Sequence, residues 1–154
     1  MDISTWHPLT VHFPIAFLSL SSILGICLRF TSNKALSQFN LGLLILGCLG
    51  LLLSIYTGNK DEGHVARFIC DPTQLKTHQN FAYYTLYIYL IYLCCSLLLF
   101  KIKHRIFKII ISGILVLTSF TGLCSLIYVG HLGASVVYNQ AGGVNIPDEN
   151  CEGF

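Results

Sequence analysis

Trp6-His7-Pro8-Leu9-Thr10-Val11-His12-Phe13-Pro14-Ile15-Ala16 opens a run that stays almost wholly apolar up to Phe30. About 20 apolar residues span the hydrocarbon core of a bilayer, and this run is long enough. Its first turns carry two histidines. Ionisable side chains at that depth are costly unless they have a partner or a use. The reading of the chain therefore turns on what His7 and His12 face.

Three further apolar runs follow, at about 41–57, 81–100 and 106–129. Lipid offers the backbone no hydrogen-bond partners, so each run is expected to be a helix. With flanking residues included, helices are predicted at about 8–30, 40–57, 72–100 and 106–130, with a tail over 131–154 at the outer face. Only 10% of the 154 residues are charged and 54% are hydrophobic. Soluble domains carry about 25% charged residues, so water is the wrong solvent for this chain. The net charge of +2 gives no reason to expect nucleic acid. Short first and third connections and a longer second one predict an all-α, integral-membrane four-helix bundle, up-down-up-down, forming one domain over 1–154. No internal repeat is evident. Met1-Asp2-Ile3-Ser4-Thr5 lacks the basic start of a cleaved signal, so the first helix is expected to be retained.

Orientation is read from lysine and arginine. Arg29, Lys34, Lys101, Lys103, Arg105 and Lys108 flank the first and third connections. Lys60, Arg67 and Lys76 flank the second, diluted by Asp61, Glu62 and Asp71. The positive-inside rule then places both termini and the second connection on the outer side.

The third helix is expected to start ahead of its apolar run. Asp71-Pro72-Thr73-Gln74 offers an N-cap aspartate, a proline at the first helical position and glutamine at N3. His78 then lies nearly two turns into the helix. Ala82, Thr85, Tyr89 and Tyr92 follow at steps of three or four and share its face. Small residues at Gly47, Gly50, Ser54 and Gly58, and at Thr118, Gly122 and Ser125, suit close helix packing.

On this topology His7, His12, His64, His78 and His131 all fall at the outer end, and His104 at the inner one. Imidazole is the commonest metal ligand and suits haem iron, zinc, copper or nickel. A haem in a membrane bundle needs two axial imidazoles from different helices. His12 and His78 are the first pair to expect, with His131 and His7 as a second pair or supporting groups, and His64 as a further metal-ligand candidate. His7 and His12 are five residues apart, about 140° around a helix, so they do not share one ligand position. The absence of Cys-x-x-Cys-His excludes c-type attachment, and that of His-Glu-x-x-His disfavours a metalloprotease. Five cysteines, Cys27, Cys48, Cys94, Cys95 and Cys124, lie in apolar runs and are expected to be buried and free. Cys70 and Cys151 lie in polar segments on the outer side and are the candidates for a disulfide.

The block His7-Pro8-Leu9-Thr10-Val11-His12-Phe13-Pro14-Ile15-Ala16 resembles the opening of a family of four-span bacterial membrane proteins of unknown function. The end, Gly133-Ala134-Ser135-Val136-Val137-Tyr138 through Gly142-Gly143-Val144, is similar to that family's Gly-Gly-x-Leu-Val-Tyr…Gly-x-Gly-Val ending. It departs from the pattern in carrying Ala141-Gly142-Gly143 at the Gly-x-Gly step. The resemblance implies a multi-pass protein of the bacterial inner membrane, with His7, His12 and His78 as recurrent histidines. Some larger relatives look joined to c-type cytochrome modules, which implies a redox role.

The expected function is therefore a b-type haem protein, with one or two haems, that passes electrons at the outer face as a subunit of a larger complex rather than as a stand-alone enzyme. Its expected partners are the bilayer, a quinone, and a c-type cytochrome or other membrane subunit. The alternatives are a non-catalytic accessory subunit and a zinc-, copper- or nickel-binding membrane protein.

Overall fold

Asn33 and Asp71 set the starts of two of the helices. The Asn33 side chain accepts from Leu36 N at 3.1 Å. The Asp71 carboxylate accepts from Thr73 N at 2.9 Å, ahead of Pro72. Both satisfy amides that a helix start otherwise leaves unpaired. Gln74 does not complete a capping box; its side-chain oxygen accepts from the Ser135 hydroxyl at 3.0 Å.

The structure, a computed structural model, describes residues 6–31 and 33–140. Among these it has four helices and no strand: α1 Trp6–Cys27, α2 Lys34–Val65, α3 Pro72–Lys101 and α4 Arg105–Tyr138. All four are long and apolar enough to cross a membrane. The expected tail beyond residue 140, with Cys151, lies outside the described residues.

α2 and α4 run past the ends expected at 57 and 130. Hydropathy marks the lipid slab, whereas a helix continues for as long as one face keeps packing. In α2, Ser54, Thr57 and Asp61 are buried in succession at steps of three and four. In α4, Gly122, Leu126 and Val136 keep one inward face through the polar stretch. At 1.5 Å per residue, the 32 residues of α2 extend about 48 Å, well beyond the ~30 Å hydrocarbon core.

Each helix packs on its chain neighbours, and α1 also packs on α4, closing a ring. Side-chain contacts show that neighbours are antiparallel. The start of α1 meets the end of α2 through His7 and Ser54. Asn59 near the end of α2 donates to Tyr83 near the start of α3. His78 of α3 meets Val129 of α4. At the other end Arg29, just past α1, donates to Ser112 of α4.

The interior sets small polar residues around a core of Leu18, Leu44, Tyr89 and Tyr92, and the exterior is large and apolar. Ser21, Ser22, Ser54, Thr57, Thr85, Thr118 and Ser119 are buried. Leu117 is 62% exposed and Phe120 is 59% exposed. A soluble protein does not leave such a surface in water, but a bilayer covers it, and small residues inside let the helices approach closely. Of the cysteines expected to be buried and free, all five are free, but only Cys48 is buried. Cys27, Cys94 and Cys124 face outward, because lipid accepts a thiol as readily as a core does. Cys70 is disulfide-bonded.

Candidate functional site: an imidazole pair at one end of the bundle

His7 lies in the first turn of α1, and its ring reaches α2. Its Nδ1–H donates to the Ser54 carbonyl at 2.9 Å, with Thr57 Oγ1 3.3 Å away. Thr10 Oγ1 donates to the His7 carbonyl at 3.0 Å and stands 3.1 Å from Thr57 Oγ1, tying the start of α1 to α2. His78, in the second turn of α3, donates from Nδ1 to the Val129 carbonyl of α4 at 3.1 Å. A carbonyl only accepts, so each Nδ1 carries a proton. In the neutral ring each Nε2 then keeps its lone pair. Metal-bound histidines are usually held this way, with one nitrogen anchored and the other directed at the metal.

The two rings meet edge to face, with centroids 6.4 Å apart and planes at 72°. A glycine lies beside each. A Cβ on Gly58 would stand 2.9 Å from His7 Cε1, and one on Gly133 would stand 3.1 Å from His78 Cε1. Both distances are tighter than side chains tolerate without shifting, so glycine is what admits each ring.

The two hairpins repeat one another around this pair. Ser54 precedes Gly58 by four residues, and Val129 precedes Gly133 by four. Eleven residues after His7, Leu18 packs on Gly47, itself eleven before Gly58. Eleven residues after His78, Tyr89 packs on Gly122, itself eleven before Gly133. Between these levels Pro14 meets Gly50, and Thr85 shares a 2.6 Å hydrogen bond with Ser125. Because α1 and α3 run the same way around a closed ring, the correspondence is an approximate two-fold about the bundle axis. The imidazoles are the pair that meets near it. No repeat is evident in the sequence, because the matched positions hold different residues: Leu18 for Tyr89, Pro14 for Thr85, Gly50 for Ser125. The histidine, the glycine beside its ring and the glycine eleven residues before that one are common to both halves.

His7 and His78 are therefore brought together. His12 is not beside them: it is exposed, on the opposite side of α1 from His7, as their 140° separation requires. His131 is exposed on α4. His64 is exposed near the end of α2, with its ring centroid 5.0 Å from that of Phe68. Among the described residues, no group of three or more His, Cys, Asp or Glu side chains converges as a metal donor set. The rim around the pair is polar: Gln79 donates to Asn59 and Glu62 at 2.8 Å, and Lys76 stands 3.7 Å from Glu62.

Below the rings the core holds two tyrosines. Tyr89 OH shares a 2.9 Å hydrogen bond with Ser22, and Tyr92 OH accepts from Asn40 at 2.9 Å while donating to the Ser21 carbonyl at 3.3 Å. The spacing of α3 places His78, Thr85, Tyr89 and Tyr92 on one face, and the last three are buried there.

An antiparallel bundle of four membrane-spanning helices, with an anchored imidazole pair at one end, is the class that this fold and site define. The chain belongs to the family described as "Predicted membrane protein (DUF2231)", whose model matches residues 4–145. No curated protein matches it, and no solved structure matches it.

Proposed function

We propose that the protein binds haem b between His7 and His78 and carries electrons at that end of the membrane. The observation that supports this most is the pairing of two imidazoles from different helices, each anchored through Nδ1, with ring centres 6.4 Å apart. His7 and His78 would hold the iron, each through the ring nitrogen that its Nδ1 anchor leaves free. The donor set fits. A porphyrin brings four nitrogens of its own and asks the protein for two, which is what this end of the bundle offers. Zinc held by protein side chains alone normally takes three or four, and among the described residues no such group converges.

Bound haem would supply a one-electron carrier. The chain's own residues do the rest. Ser54 and Val129 hold the tautomers, Gly58 and Gly133 leave room beside the rings, and Lys60, Arg67 and Lys76 are the cations near that rim to receive propionates. This ligand pair differs from the His12 and His78 expected first, because His12 faces outward.

The distribution of Arg29, Lys34, Lys101, Lys103, Arg105 and Lys108 supports an orientation with the imidazole end and both termini outside, in a bacterial inner membrane. A place in a larger complex, beside a quinol-oxidising or c-type cytochrome partner, is supported by His12: an exposed imidazole on an apolar face with Leu9 and Phe13 is costly without a partner. The test is the absorption spectrum of protein expressed with ample haem. The proposal expects a Soret band that is retained through purification; a colourless protein that also fails to take up added haemin contradicts it.

A further inference from the structure

At the end of the bundle remote from the imidazoles, a cavity of about 70 Å³ opens between the C-terminal ends of α1 and α3 and the first turns of α2. Its polar lining is Arg29, Ser37, Asn40, Tyr92 and Ser96, and the rest of the wall is mainly leucine and phenylalanine. Two of the polar groups have unmet hydrogen-bonding capacity. Asn40 is only 5% exposed; its Nδ2 donates to Tyr92, and its Oδ1 has no partner. Arg29 gives one nitrogen to Ser112, but its buried Nε–H has no acceptor. Buried polar groups are nearly always paired, so an unmet acceptor and an unmet donor in one cavity point to a bound group.

We propose that this cavity takes a phospholipid headgroup, with the phosphodiester accepting from Arg29 and an O–H or N–H of the headgroup donating to Asn40. The chemistry follows from what is missing. The guanidinium calls for an anionic acceptor, and Asn40 Oδ1 calls for a donor. About 70 Å³ leaves room for a phosphate-sized group. The lipid source is favoured over free phosphate by the surroundings. Phe30 is 88% exposed and Ile106 61% exposed at this end, beside Lys34, Lys101, Lys103 and Arg105. Such a mixture of apolar surface and cations suits the boundary between acyl chains and headgroups. A quinol serving the imidazole pair is disfavoured, since the 22 residues of α1 separate the two ends by about 33 Å.

The full chain in detergent is titrated with phosphatidylglycerol, with phosphatidylcholine and with inorganic phosphate, and bound lipid is read by native mass spectrometry and by thermal shift. Phosphatidylcholine has the phosphodiester but no headgroup donor. The proposal expects phosphatidylglycerol to bind at least tenfold tighter than phosphatidylcholine, with inorganic phosphate giving no shift. Arg29→Gln is expected to weaken phosphatidylglycerol binding about tenfold, while Lys60→Gln, at the opposite end of the bundle, changes it less than twofold. Equal binding of the two lipids, equal effects of the two substitutions, or equal stabilisation by inorganic phosphate would each overturn it. If Arg29→Gln does not fold, the comparison of lipids on the unaltered protein still decides.

Discussion

His7 of α1 and His78 of α3 stand with ring centres 6.4 Å apart, although no Cα of one helix lies within 8 Å of a Cα of the other. The two helices face each other diagonally across the ring, and the imidazoles bridge the gap. Each ring is braced from behind by the helix that its own hairpin partner supplies, α2 for His7 and α4 for His78.

If both rings hold one guest, their removal should be equivalent. His7→Ala and His78→Ala are each expected to lower haem occupancy at least tenfold, read as the ratio of Soret to protein absorbance. His12→Ala and His131→Ala, which change exposed side chains, should leave that ratio within twofold. Retention of haem by both inner variants, with loss in His12→Ala, would move the site to the outer face of α1.

The glycines beside the rings give a second handle. Gly58→Ala and Gly133→Ala push a methyl towards His7 and His78, at 2.9 and 3.1 Å. Overpacking of this kind costs about 1–3 kcal/mol. Both variants should show weaker haem retention under haemin competition by apomyoglobin. Gly42→Ala, which meets nothing within 4 Å, should match the unaltered protein.

Tyr92 joins three helices through Asn40 and Ser21. Tyr92→Phe leaves a buried asparagine without its acceptor and should cost about 1–3 kcal/mol. Tyr87 is 57% exposed, and Tyr87→Phe should change stability by no more than about 0.5 kcal/mol. Thermal unfolding in detergent compares the two.

Asp71 closes the start of α3, the helix that carries His78. Asp71→Ala removes the acceptor for Thr73 N and should cost about 0.5–2 kcal/mol. Hydrogen exchange should quicken in the first turn of α3 and stay unchanged in α1.

The four spans are legible from hydropathy alone, since lipid imposes a length on every crossing. The inward face of α3 is legible too, because Thr85, Tyr89 and Tyr92 mark it at helical steps. The choice between His7 and His12 was the harder matter. Soluble-protein habit looks for the apolar stripe as the inner face, and in α1 nearly every residue is apolar. The usable signal is the stripe of small and polar residues instead: His7, Thr10, Pro14, Ser21, Ser22 and Gly25 lie on one side of α1, with Leu18 among them, and leave His12 on the other. In a membrane the guide to the interior is what lipid does not want. The helix ends at residues 65 and 138 were not legible, because packing of Asp61 and Val136 carries both helices past the point where hydropathy falls.

The central claim is that two anchored imidazoles grip one iron, and the electron paramagnetic resonance spectrum of the oxidised, haem-loaded protein tests it most directly. Two axial imidazoles enforce a low-spin ferric signal, and His7→Ala or His78→Ala should each convert it to high spin or abolish it. A high-spin signal in the unaltered protein, or a low-spin signal that survives removal of both His7 and His78, would contradict the account.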